Sequence, residues 1–263
     1  RVLTRTPVTA LARDGGLWRV ETPAGSFRGR ALVNAAGPRV TELAALAGIP
    51  SRHRLRLVRG SHIVVPRLFD HAYAYFFQLP DGRIFFAIPY QRDFTLIGTT
   101  DRDHPDADVP PAITAEETVY LCEGASAYLA RAITPADVVW SYSGVRPLID
   151  DGSGKPEAAT RGYTFEVDGE VGGDGPDAAP ILSVFGGKIT TCRELAREAL
   201  DRLAPLLPVL DAPCITAERP LPGGDFAMTG LDDLIAGLAR DYPLLDAATV
   251  DRIARAYGTD ARR

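Results

Sequence analysis

The segment that most constrains this chain is a strand, a glycine pair and a helix in direct succession. Ile181-Leu182-Ser183-Val184-Phe185 is an apolar run without alternation, Gly186-Gly187 follows, and Thr190 to Leu203 places Leu195, Ala199 and Leu203 at helical spacing. An unbroken run of this kind reads as a buried strand. The glycine pair lets backbone approach a ligand without Cβ obstruction. The helix start beyond it offers free N–H groups and about half a positive charge to an anion. Lys188 sits inside that turn. It either faces an anion there or is the solvated lysine of an ordinary tight turn.

Composition sharpens the question about Lys188. Of 29 basic residues, 27 are arginine and only Lys155 and Lys188 are lysine. The chain has 263 residues, room for one large domain or two. Its net charge of −5 argues against a nucleic-acid partner. No run of 18 apolar residues and no charged-then-apolar leader occurs. Three scattered cysteines, Cys122, Cys192 and Cys214, form neither a disulfide framework nor a metal-ligand spacing, so no metal site is expected and a reducing cytosol fits.

Upstream, the chain reads as strand-rich. Val2–Leu11 and Leu17–Thr22 flank a turn at Asp14-Gly15-Gly16, and a short strand surrounds Phe27. Ala31-Leu32-Val33-Asn34-Ala35-Ala36-Gly37-Pro38 predicts a buried strand that stops abruptly, followed by a helix over Val40–Ala47 closed by Gly48. Arg54–Val58 and Ile63–Pro66 read as two strand runs, and Ile84–Tyr90 with Phe94–Thr99 as an antiparallel pair. Glu116–Ala130 is amphipathic, with Thr114 and Glu117 in capping-box positions. Strands are also predicted at Ser141–Leu148 and Tyr163–Val167, a surface loop at Asp168–Pro180, and two short helices at Leu231–Ala239 and Ala248–Tyr257.

Several side chains could carry chemistry. Arg146 and Arg161 could together clamp a phosphate or carboxylate, or each could be a surface arginine. His62, just before an apolar run, is a candidate general base or a structural histidine. Alternating Arg52, Arg54 and Arg56 share one strand face, either a membrane-surface patch or a solvated sheet face. Asp150–Lys155 fails the phosphate-loop spacing, and the sequence holds no H-E-x-x-H, G-x-S-x-G or G-x-G-x-x-G.

Five runs, in this order, carry a resemblance: Ala31–Pro38, Val58-Arg-Gly-Ser-His-Ile-Val-Val-Pro66, Ile97-Gly-Thr-Thr-Asp101, Trp140-Ser-Tyr-Ser-Gly-Val-Arg-Pro-Leu148 and Leu182-Ser-Val-Phe-Gly-Gly-Lys-Ile-Thr-Thr191. Leu221-Pro-Gly-Gly-Asp225 extends it. Together they resemble the FAD-dependent glycerol-3-phosphate dehydrogenases of the glycine-oxidase-like flavoproteins. The resemblance implies an α/β (α+β) fold: FAD-binding elements at 1–50 and 181–215, an antiparallel-sheet substrate domain at 51–180, and the start of a C-terminal helical domain at 221–263.

It also implies oxidation of glycerol 3-phosphate to dihydroxyacetone phosphate, with FAD as hydride acceptor and a quinone as the next acceptor. By the same resemblance His62 and Lys188 are catalytic, and Arg146 and Arg161 bind substrate phosphate. Val8, Ala35, Ala36, Gly37, Gly186, Gly187, Lys188, Ile189 and Thr190 adjoin the cofactor. A cytoplasmic protein, peripheral to the inner face of the plasma membrane, and a homodimer are compatible with it. A glycerol-3-phosphate oxidase, a related amine or hydroxy-acid oxidoreductase, and a non-redox anion-binding module stay open as alternatives. The family's N-terminal β-α-β unit with its glycine fingerprint has no counterpart in these 263 residues. The chain is therefore expected to be a middle-to-C-terminal piece that binds FAD poorly alone.

Overall fold

Gly15 and Gly16 both take positive φ and turn β1 (Ala10–Asp14) back onto β2 (Leu17–Thr22), and β3 (Gly25–Gly29) completes a three-stranded antiparallel sheet. The computed structural model describes residues 1–150, 152, 162–169, 179–207 and 213–263. They form two compact units, Arg1–Val209 and Leu210–Arg263. The predicted start of the first strand at Val2 is not met. Residues 4–5 form a turn with Arg5 at φ 53°, and the ladder begins only where β2 offers a partner.

β4 (Leu32–Asn34) is the strand predicted before Gly37, and α1 (Val40–Leu46) follows it. The strand is not buried throughout, as expected: it lies at the edge of its sheet, Val33 is half exposed and only Asn34 is inaccessible. β4 pairs in parallel with a strand some 150 residues later, Ser183 lying opposite Asn34. Between them the chain builds the larger sheet. β5 (Leu55–Pro66) joins the two predicted runs into one twelve-residue strand. Then come β6 (Tyr75–Gln78), β7 (Ile84–Tyr90), β8 (Phe94–Gly98) and β9 (Arg102–Asp103). α2 (Ala115–Ser126) begins at the Thr114–Glu117 capping box, and β10 (Trp140–Ile149) closes the set. The strand order is β10-β5-β8-β7-β6, with β9 also on β5.

One face of this sheet packs under α2. Ile63, Val65, Phe85, Ala87 and Ile97 meet Leu121, Cys122 and Ala125, all nearly inaccessible. Arg52 and Arg54 precede β5 and Arg56 is tied to Asp103 by two hydrogen bonds of 2.6 and 2.8 Å, so the alternating arginines do not form one patch on a strand.

β11 (Tyr163–Asp168) pairs antiparallel with β12 (Ile181–Gly186), giving the order β11-β12-β4, and α3 (Cys192–Leu203) covers it through Ala199 and Leu203 on Phe165, Leu182 and Val184. The expected division at residue 180 thus cuts across a sheet, because β11 lies before it and β12 after. The second unit holds α4 (Leu231–Asp241) and α5 (Ala247–Tyr257), joined through Leu234, Leu238, Val250 and Ala254. No helix among the described residues is long and apolar enough to cross a membrane.

Candidate active site

Side chains alternate across a strand, so residues paired directly between neighbours share a face. Pairing carries one row across five strands: Phe76 on β6, Phe86 on β7, Gly98 on β8, His62 on β5 and Tyr142 on β10. This row lies on the face opposite α2, where Phe76, Phe86 and Tyr142 remain exposed. At its centre the His62 ring stacks on Tyr142 with centroids 4.8 Å apart and planes 3° apart. A Cβ on Gly98 would overlap the imidazole ring, so the strand can carry only glycine there without moving His62.

Arg146 lies on the same face, two alternations beyond Tyr142. Its guanidinium arches over Gly60, where a Cβ would sit 2.5 Å from Nη2. Nη2 donates to Thr99 Oγ1 at 3.0 Å and Nη1 to the Asp101 carboxylate. Two contacts leave other N–H groups of a five-donor fork for an anion.

Burial, and secondarily the charge of Arg146, hold the His62 pKa down at about 4. The ring is therefore neutral at pH 7. Its Nδ1 is buried and has no hydrogen-bond partner among the described residues. A neutral imidazole accepts a proton at whichever ring nitrogen carries none, which keeps His62 a candidate general base.

The other sequence candidates lie where β4 and β12 end. The carboxyl ends of parallel neighbours are a usual ligand position in such sheets. Ala35 and Ala36 are small and exposed, and Gly37, at φ 57°, has nothing within 4 Å of where its Cβ would be. Gly186 and Gly187 take φ of 74° and 95°; a Cβ on Gly186 would come within 2.5 Å of the Gly162 carbonyl oxygen. Lys188, Ile189 and Thr190 stand out from this turn, Ile189 with 89% of its surface exposed. β10 lies against both β12 and the turn Gly37–Arg39, which joins the large sheet to these strand ends. The small residues and bare backbone fit the approach of a planar cofactor ring. Among the described residues no group of three or more His, Cys, Asp or Glu side chains could hold a metal ion.

Not every sequence candidate converges here. Among the described residues, no hydrogen bond or ion pair joins Lys188 to His62 or Arg146. Val8 lies against the cluster of Leu11, Trp18 and Ile181. Arg161 and Lys155 lie outside the described residues. Reading the sequence missed Tyr142, Thr99, Asp101, Gly60 and Gly98, although each falls inside a run already singled out.

Residues 1–183 match the family described as FAD dependent oxidoreductase (DAO). The chain is 43% identical to a glycerol-3-phosphate dehydrogenase of Pseudomonas aeruginosa over 98% of its own length and 50% of that protein's. It is 41% identical to a D-erythritol 1-phosphate dehydrogenase of Brucella abortus, over 98% of this chain and 51% of the other. Among solved structures, the glycerol-3-phosphate dehydrogenase from Bacillus halodurans complexed with FAD superposes with a TM-score of 0.79 at 28% identity, over 99% of this chain and 51% of that one. The chain thus spans about half the length of the curated relatives it matches. A family match over 183 residues that takes in β4, the whole large sheet and the start of β12 establishes that this chain belongs to the FAD-dependent oxidoreductases of the DAO family.

Proposed function

We propose that this chain carries the substrate face and the flavin-side turn of an enzyme that oxidises glycerol 3-phosphate to dihydroxyacetone phosphate. The observation that carries the reading is the combination, on one sheet face, of a histidine kept neutral with a guanidinium already oriented by two partners. The names of the relatives supply the substrate class, a polyol bearing a terminal phosphate.

When bound, FAD supplies the two-electron acceptor for the hydride that leaves C2 of the substrate. The chain's own residues do the rest. Arg146 binds the phosphate, with Arg161 as a second clamp. His62 takes the proton of the C2 hydroxyl. A dianionic phosphate on Arg146 cancels the charge that helps to depress His62, so substrate binding itself raises the ring's basicity. Lys188 favours the developing oxyanion, and Ala35–Gly37 with Gly186–Thr190 border the cofactor. Electrons then pass to a quinone, and the protein works at the inner face of the plasma membrane.

The deciding experiment is a visible spectrum of the full-length, FAD-loaded protein that contains this chain, under anaerobic conditions. Addition of glycerol 3-phosphate should bleach the flavin band within turnover time. A bound flavin that stays yellow with glycerol 3-phosphate, yet bleaches with dithionite, rejects the substrate.

A further inference from the structure

Behind His62 and Arg146, on the face covered by α2, sits a carboxylate that the site itself does not contain. Glu117 is 2% exposed. Its Oε1 accepts from Thr100 Oγ1 at 2.7 Å and Ser61 Oγ at 3.1 Å. Its Oε2 accepts from Arg59 Nη2 at 2.7 Å and the Thr114 backbone N–H at 2.9 Å. Because the Ser61 hydroxyl proton goes to Glu117, Ser143 is the donor in the 2.9 Å bond between the two serines. Thr100 Oγ1 in turn accepts the Ser61 backbone N–H at 3.0 Å. One carboxylate therefore ties α2 to β5, through Ser61 to β10, and to the turn that follows β8.

Capping α2 does not require this arrangement. A capping box uses only Thr114 and Glu117. Burying an ionised carboxylate costs several kcal/mol unless all its lone pairs are met. Burial works to raise the Glu117 pKa, but the bonds from Thr100 and Thr114 and the charge of Arg59 outweigh it and hold it below the ordinary value. Thr100 and Arg59 are the partners at 2.7 Å, and Thr100 stands between Thr99 and Asp101. Those two hold the Arg146 guanidinium.

We infer that Glu117 is a positioning residue for the anion-binding group: by anchoring Thr100 it fixes where Thr99 and Asp101 present their oxygens, and hence where Arg146 points. The inference rests on the reading of Arg146 as the phosphate-binding arginine. Glu117 touches neither Arg146 nor the open face. The route through the 99–101 turn ends on the two residues that bond Arg146. The route through Ser61 and Ser143 reaches only the β10 backbone three residues before Arg146.

Five variants of the FAD-loaded protein test this: Glu117→Gln, Thr100→Val, Thr100→Ser, Arg146→Ala and the double variant Glu117→Gln/Arg146→Ala. Steady-state kinetics with glycerol 3-phosphate and titration with inorganic phosphate supply the readouts. Glu117→Gln and Thr100→Val should each raise KM about tenfold and weaken phosphate binding to match, with kcat within about threefold. Arg146→Ala should raise KM about a hundredfold, and the double variant should be no worse, because Glu117 acts through Arg146. Thr100→Ser should restore KM. An unchanged KM in Glu117→Gln and Thr100→Val beside a raised KM in Arg146→Ala overturns the inference and leaves the phosphate role intact. Fully additive effects in the double variant also overturn it. An unchanged KM in Arg146→Ala removes the phosphate role itself. If Glu117→Gln does not fold, Thr100→Val decides alone.

Discussion

The two faces of the large sheet are made from alternate residues of the same strands, yet they obey different rules. Toward α2, Phe85, Ile63 and Ile97 are almost fully inaccessible, and every oxygen of Glu117 has a donor. Away from α2, Phe76 and Phe86 keep much of their surface in solvent, and so does part of the Arg146 side chain. The first face stabilises the fold, whereas the second leaves aromatic rings and a guanidinium where a ligand can reach them. In the proposed reaction the second face meets the substrate, while Glu117 on the first sets its geometry.

That contrast can be attacked from either side. The largest effect should come from His62→Ala, which removes the proton acceptor. Stopped-flow bleaching by glycerol 3-phosphate should slow about a hundredfold to ten-thousandfold, and a near-normal rate would take the base role from His62. On the packed face, Phe85→Ala should lower stability by about 3–5 kcal/mol in urea unfolding, because it empties a site at the centre of the core.

A smaller effect concerns acidity. In an NMR titration the His62 ring should take up its proton near pH 4, against 6.5 for an ordinary histidine. The unfolded chain then binds the proton first, so this group's contribution to stability is present above pH 6.5 and is lost as pH falls through about 4. Titration at 6.5 would mean that the ring is solvated rather than stacked and buried. Smallest of all, Phe86→Ala should change stability by less than about 1 kcal/mol. A loss equal to that of Phe85→Ala would show the open face to be covered, and the contrast would fail.

Local signals in the sequence were legible, and relations between distant segments were not. The β7–β8 hairpin follows from alternation on either side of Gln91-Arg92-Asp93, where Gln91 and Arg92 take positive φ. The Thr114–Glu117 capping box and the β12–glycine–α3 unit were equally plain, since each is decided within a few residues. Glu117, however, reads as a cap only; its other partners lie 17, 56 and 58 residues away. Gly60 and Gly98 look like weak spots in strands until their neighbours are known. The space they leave is filled by Arg146 and His62 from adjoining strands. β5 was read as two runs because Arg59-Gly60-Ser61 interrupts its apolar pattern, and those are residues the site uses. His62 and Arg146 were singled out by their residue types and the runs around them; that they share a face needed the register.

The parallel pairing of β4 with β12 bears on the order in which the molecule can assemble. Asn34 donates to Ser183 across 149 residues of chain, and every strand of the large sheet lies in that interval. Closing so long a loop is entropically costly before the intervening segments have compacted, and such contacts slow folding. Bringing Ala35–Gly37 beside Gly186–Gly187 therefore costs least once the large sheet has compacted the chain between them. In the proposed reading, the strands that meet the substrate also shorten the path by which the cofactor-side turns find each other.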